Sequence, residues 1–358
     1  ITGTLAITKA LADTPPAAVK ATATFTGTYS CSYEALLYTG TWSAKIGQLA
    51  TLTALTNGSA IPVTAICSIT ETTPSDTLLA DASWSWNPAV IAPATDTVDG
   101  PQAPATFTVT NSAHRVYGSL TVTKVFSGVG GLKPDATVQG AWSCTWDTAG
   151  SAGGRWTLPA SGGTQLLFAA SDALVPLTAK CTVTEDTLLA TDLLDTSFTW
   201  NDPQYAPDGG KVTLVAGANL VTITNSTQRV YGGFRIVKAI VGQADAGITY
   251  SGSYTCTHPG DANVTANWSG LTVAAPVDVN GILLESSCSV VETWLPAADP
   301  VASDGSWVWA NNDNGTPVSI VNSPRRTITV TNRSQQVLGS FVIAKAPIVG
   351  ASDGEVTG

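Results

Sequence analysis

The sequence predicts an all-β chain of tandem sandwich domains in an extended rod, and three observations predict it. A lysine, a glutamate and an asparagine recur together three times at nearly fixed spacing. Short runs of alternating polarity, separated by turn residues, fill the intervals. Six cysteines fall two to a repeat. A fixed period of about 110 residues means that one folding unit is copied along the chain, so the repeat decides the architecture before any single element does.

The three sets are Lys9, Glu71 and Asn111; Lys124, Glu185 and Asn225; and Lys238, Glu292 and Asn332. Glutamate to asparagine is 40 residues in every set, and asparagine to the next lysine is 13. Lysine to glutamate varies (62, 61 and 54 residues), as loops of different length would make it. A fourth lysine, Lys345, opens a further repeat that the chain does not complete.

Each member sits on an apolar strand face, because residues two apart share a face. The opening strand reads Leu5, Ile7, Lys9, then Leu120, Val122, Lys124, then Phe234, Ile236, Lys238, and last Phe341, Ile343, Lys345. The glutamate strand reads Cys67, Ile69, Glu71, then Cys181, Val183, Glu185, then Cys288, Val290, Glu292. The closing strand reads Phe107, Val109, Asn111, then Val221, Ile223, Asn225, then Ile328, Val330, Asn332. A cation, an acid and an amide therefore point inward in every repeat. A lone buried charge costs several kcal/mol, so the three groups are expected to meet in the core.

The cysteines pair within repeats: Cys31 with Cys67, Cys144 with Cys181, Cys256 with Cys288. Such repeat-locked pairs imply disulfides and an oxidising compartment. The first cysteine of each pair ends a strand face of its own: Phe25, Gly27, Tyr29, Cys31; Val138, Gly140, Trp142, Cys144; Tyr250, Gly252, Tyr254, Cys256. The bridge is expected to cross the core from one sheet to the other and to stabilise each domain by roughly 3–4 kcal/mol. Zinc spacing is missing and there are only two histidines, His114 in a linker and His258 in a loop, both expected to be solvated. Asn312-Asp313-Asn314-Gly315 reads as a turn former rather than a calcium loop.

In order, the first repeat reads as strands at Thr4–Ala10, Ala23–Tyr33, near Trp42–Ile46, Ala50–Leu55, Ile61–Thr72, Trp84–Asn87 and Ala105–Asn111. The other repeats keep this order, with the aromatic strand returning as Phe198–Asn201 and Trp307–Ala310. No stretch carries a sustained helical period with caps. Seven short strands per unit argue for an immunoglobulin-like sandwich. The domains expected are 1–115, 116–229 and 230–336, with 337–358 the first strand of an incomplete fourth. The junctions Ser112–Tyr117, Ser226–Tyr231 and Arg333–Leu338 are read as short linkers, two of them sharing Arg-Val-Tyr-Gly, which favours limited flexing.

Charged residues are 12%, Met is absent and the net charge is −10. An acidic chain repels nucleic-acid phosphates and anionic lipid, so neither is expected as a partner. No apolar run is long enough to span a membrane. No signal peptide, starting Met or sorting motif is seen, so a segment of a longer secreted protein, or a mature form whose processing signals are gone, is expected. Neither a phosphate loop nor a hydrolytic triad is present, and no cofactor or metal is expected. The Asn-x-Ser/Thr triplets at Asn225 and Asn332 fall on inward positions and are not expected to carry glycans.

With these residues in view, the chain resembles the Cna-B-type stalk domains of Gram-positive surface adhesins and pilins, and most of all related repeats of actinobacterial cell-surface proteins. The resemblance lies in Gly3-Thr4-Leu5-Ala6-Ile7-Thr8-Lys9, Cys67-Ser68-Ile69-Thr70-Glu71 and Val109-Thr110-Asn111, and recurs twice more. It implies intramolecular isopeptide bonds Lys9–Asn111, Lys124–Asn225 and Lys238–Asn332, assisted by Glu71, Glu185 and Glu292. Two features depart from the family: the added disulfide, and the absence of a Pro-Gly-Tyr stretch after the glutamate, where only Pro74 and Pro296 follow at a distance. The bond needs an amine made nucleophilic by an apolar core, an acid that moves protons, and proximity. The same residues would also serve as a buried Lys–Glu ion pair bonded to asparagine.

The implied function is mechanical: a stalk or fibre segment of a secreted or wall-attached bacterial surface protein, not an enzyme. Its partners would be neighbouring repeats, with cell wall, glycan or host surface beyond them. Two alternatives stand beside it. One is a glycan- or host-binding module using an exposed row of Trp84, Trp86, Trp200, Trp307 and Trp309. The other is a spacer of a larger extracellular enzyme. Burial of those rings would favour the stalk.

Overall fold

The structure is a computed structural model that describes residues 1–58, 60–293 and 301–345. The described residues form β-strands and a few single 3-10 turns, with no α-helix among them. They divide into two compact units. The first holds Ile1–Gly128, Leu132–Asp192 and Asn201–Ser226; the second holds Val129–Gly131, Leu193–Trp200 and the chain from Thr227 onward. The repeats are tandem immunoglobulin-like β-sandwiches.

In the first repeat the strand Leu5–Leu11 lies beside the closing strand Ala105–Asn111, which is flanked in turn by Val90–Ala92. The facing sheet has the order Thr95–Thr97, Ile66–Glu71, Phe25–Tyr33, Leu36–Ala44, Thr51–Thr56. Between them Ile7, Phe25, Trp42, Phe107 and Val109 are essentially fully buried. The second repeat pairs Leu120–Phe126 with Leu220–Asn225, and its facing sheet centres on Thr137–Trp146 and Lys180–Glu185. In the second unit, Tyr231–Val241 pairs with Arg326–Gln336, and the facing sheet centres on Tyr250–Thr257 and Ser287–Glu292.

Opening and closing strands are parallel neighbours in all three repeats. Parallel pairing needs a long crossover, and here the crossover is the rest of the domain. The register places Lys9 opposite Val109, Lys124 opposite Ile223 and Lys238 opposite Val330. Each asparagine lies two residues further on, hence on the same inward face as its lysine.

The closing strand occupies the predicted span, and four expectations change. The long run Ile61–Thr72 splits into Ile61–Pro62 and Ile66–Glu71, because Pro62 lacks a donor and Thr64 takes φ 73°. The junctions are strands rather than linkers: Ala113–Arg115 pairs with Trp84–Trp86, Thr227–Arg229 with Phe198–Trp200, and the end of Arg326–Gln336 with Trp307–Asp313. Their backbone groups lie against the aromatic strand and take its hydrogen bonds.

The third change concerns the disulfides. Cys31–Cys67, Cys144–Cys181 and Cys256–Cys288 are bridged as paired, but each bridge joins directly opposed residues of adjacent antiparallel strands in one sheet, Cα atoms 3.9–4.0 Å apart. They do not span the two sheets. The two cysteine strands are hydrogen-bonded neighbours, so their inward side chains meet before either could reach across the core.

The expected fourth opening strand is also absent among the described residues. Phe341, Val342 and Ile343 are 83–91% exposed and irregular. A strand needs a partner edge, and the described residues supply none there. Residues 346–358 and Pro296 lie outside the described residues.

Candidate cross-link site

The sandwich brings each triad together from both sheets. Lysine and asparagine come from the parallel opening and closing strands, and glutamate comes from the end of the second cysteine strand facing them. In the first repeat Lys9 Nζ lies 3.0 Å from Glu71 Oε1. It also donates to Val109 O at 3.3 Å and to Asn111 Oδ1. In the second, Lys124 Nζ lies 3.1 Å from Glu185 Oε1 and donates to Ile223 O, while Asn225 Nδ2 donates to Glu185 Oε1 at 3.2 Å. In the third, Lys238 Nζ lies 3.1 and 3.3 Å from the two carboxylate oxygens of Glu292, and Asn332 Nδ2 donates to Glu292 Oε1 at 3.3 Å.

All three sites are closed to solvent. The lysine side chains are 0% exposed and the glutamate side chains 1–2%, and Asn111, Asn225 and Asn332 are 0% exposed. Burial pushes the amines of Lys9, Lys124 and Lys238 below the ordinary lysine value, against the pull of the paired glutamate. Aromatic faces complete two of the pockets: Lys9 Nζ sits 4.5 Å from the Phe25 ring centre and Lys238 Nζ 4.3 Å from that of Tyr250. The Tyr250 phenol is itself pushed up to about 12 by burial, with Glu292 adding to it. Satisfaction is incomplete, since Asn111 Nδ2, Asn225 Oδ1 and Asn332 Oδ1 have no hydrogen-bond partner among the described residues. Each orphaned buried atom costs about 1–3 kcal/mol.

One part of the site had no role in the sequence reading. Gly27, Gly140 and Gly252 lie opposite Glu71, Glu185 and Glu292 in the strand register. A Cβ on Gly27 would fall 1.9 Å from Thr70 O and 2.5 Å from Trp42 Nε1. On Gly140 it would fall 2.0 Å from Thr184 O and 2.6 Å from Trp156, and on Gly252 2.1 Å from Val291 O and 2.6 Å from Trp268. The buried indoles of Trp42, Trp156 and Trp268 thus press onto bare backbone beside the acid, each N–H donating to a nearby carbonyl at 2.9–3.1 Å. The signal was present: tryptophan follows the glycine by 15, 16 and 16 residues.

The remaining candidates resolve into structural parts. Trp84, Trp86, Trp200 and Trp307 are partly buried and Trp309 is 2% exposed, so these rings form no exposed row. Trp86 packs edge-on to Phe25 at 5.6 Å. Asp313 and Asn314 accept backbone donors from Gly315 and Glu292. His114 is exposed, bonded to Asn87 at 2.7 Å, whereas His258 is buried against Asp261, contrary to the expectation of a solvated ring.

The family described as "Domain of unknown function (DUF5979)" matches residues 5–114, 120–228 and 234–335. The chain belongs to this family. No curated protein matches it. Among solved structures, the chain is similar to the Bacillus anthracis TIE protein at 12% identity, over 93% of this chain and 51% of that one, with a TM-score of 0.33. It therefore spans about half the length of that relative. It is also similar to the major pilin T-13 of Streptococcus pyogenes (13% identity, 64% of this chain, 98% of that one, TM-score 0.26). A streptococcal ancillary pilin matches at 12% identity over 94% of this chain and 99% of that one, with a TM-score of 0.20.

Proposed function

We propose that this DUF5979 chain is a stalk segment of a secreted or wall-attached bacterial surface protein, whose domains lock themselves with Lys–Asn isopeptide bonds. One observation carries the reading: in all three repeats an amine from the first strand, an amide from the last and a carboxyl meet in an interior closed to solvent. The disulfides fit an oxidising, extracellular setting. Partial or full burial of the tryptophans favours this reading over glycan capture by an aromatic row.

In the proposed step the neutral lysine Nζ adds to the asparagine Cγ. The glutamate takes a proton from the attacking nitrogen and delivers one to Nδ2, which departs as ammonia. One C–N bond forms and one breaks, with no redox change. Asn225 and Asn332 already direct Nδ2 at the glutamate, and Lys9 already reaches the Asn111 carbonyl oxygen. The reaction runs once per domain, so it is self-processing rather than enzymatic turnover.

The test is the intact mass of the purified chain, with and without reduction. Each isopeptide removes one ammonia, about 17 Da, and each disulfide about 2 Da that reduction restores. A reduction-resistant deficit of three ammonias is expected. A reduced mass equal to the plain sequence would refute the bond and leave three buried Lys–Glu–Asn clusters.

A further inference from the structure

The Arg-Val-Tyr-Gly motif takes no part in the cross-link. In the first unit Arg115 lies over Trp84, its guanidinium carbon 4.2 Å from the ring centre. Its Nη1 donates to Ser83 Oγ at 2.6 Å, and Nη2 pairs with Asp147 in the turn after the strand Thr137–Trp146. Ser83 is fully buried and held by Asp81 through both its backbone N–H and its hydroxyl. The next residue continues the join: Val116 N donates to Ser83 O, Val116 O accepts from Leu177 N, and Gly118 N donates to Val175 O, all at 2.9 Å.

The second unit repeats the arrangement. Arg229 lies 3.9 Å over Phe198, donates to Ser197 Oγ at 2.8 Å, and holds both carboxylate oxygens of Asp261 at 2.8 Å. Ser197 N donates to Asp195, Val230 N to Ser197 O, and Leu284 N to Val230 O. Serine to arginine and arginine to aspartate are 32 residues in both copies. In the third repeat Ser306 with Asp304 and the Val337 N–H to Ser306 O recur, but Gln336 stands in the arginine's place opposite Trp307.

We propose that Arg115 and Arg229 are inter-repeat latches. Each is braced on an aromatic ring and a serine of the repeat it closes, and docks on a carboxylate of the repeat that follows. An isolated surface ion pair contributes little. Here the guanidinium is immobilised before it pairs, so less entropy is lost in docking. The partner recognised is a following repeat that carries an acid in the turn after its first cysteine strand. A glutamine, as at Gln336 opposite Trp307, carries no charge to pair with such an acid, which makes that junction the compliant one.

The test uses the full chain and amide hydrogen exchange. In Arg115→Gln the Leu177 and Gly118 amides should exchange at least tenfold faster while core amides such as Val183 keep their protection. In Arg229→Gln the Leu284 amide should respond alone. Asp147→Asn should reproduce the Arg115→Gln result, which guards against a folding defect in one variant. Combining Arg115→Gln with Asp147→Asn should add nothing to either single variant. Unchanged exchange at Leu177 in both single variants, or fully additive effects in the double, would overturn the latch.

Discussion

Pulling a single chain from its two ends tests the cross-link most directly. Lys9 and Asn111 are 102 residues apart in sequence, yet they meet on parallel neighbouring strands. A bond between them routes tension past everything in between. Asn111→Ala removes the bond while leaving the Lys9–Glu71 pair, 3.0 Å apart, in place. With the Cys31–Cys67 bridge intact, the 36 residues it encloses stay closed. Of the 102 residues about 66 are then released, a step of about 230 Å at ~3.5 Å per residue. Adding reductant should lengthen that step to about 350 Å. The unaltered chain should show neither step, and the second and third repeats of the variant should remain locked as internal controls. If the unaltered chain yields the same steps as Asn111→Ala, the load is borne by the hydrogen-bond ladder and the cross-link reading is wrong.

Two further outcomes follow from the site. Gly140→Ala drives a methyl to 2.0 Å from Thr184 O and 2.6 Å from Trp156, so the second repeat should lose about 1–3 kcal/mol in urea denaturation. Gly217→Ala, in open space but at φ 91°, should cost more than about 1 kcal/mol through backbone strain alone. Burial lowers the Lys9, Lys124 and Lys238 amines, so ammonia loss during refolding should speed up as pH rises through that lowered value and then level off. In an Asn111→Ala chain, where Lys9 stays free, the sign for stability is the same. The unfolded amine holds its proton up to about 10.5, so stability should rise between the lowered folded value and that pH. Adding Lys9→Met should abolish that slope, and a slope that persists would refute the assignment to Lys9.

Much of this was legible because burial and periodicity reinforce one another. Lys9, Glu71 and Asn111 stood out only because each interrupts an apolar alternation, and their threefold recurrence marks a shared interior. The parallel adjacency of first and last strands follows from placing Lys9 and Asn111 together. The bridge geometry is not legible in the sequence, because a face assignment states which way Cys31 and Cys67 point, not which strands are neighbours. The junction strands Ala113–Arg115 and Thr227–Arg229 are not legible either, being too short and too polar to signal pairing with the aromatic strand. Gly27 and its counterparts went without a role because a missing side chain is informative only once the indole pressing on it is seen.

The disulfides have a consequence outside mechanics. Each encloses the hairpin that leaves the first cysteine strand, whose left-handed turn residue is Glu34 in the first repeat and Asp147 in the second. Exposed tips of this kind are where proteases nick a chain. A cut between Cys31 and Cys67 leaves both fragments bound through sulfur, with the glutamate strand Ile66–Glu71 still paired to Phe25–Tyr33. A chain clipped once within each bridged loop still runs as one species, and with the proposed Lys–Asn bonds it does so even after reduction, so its surface hairpins can be attacked without the molecule coming apart.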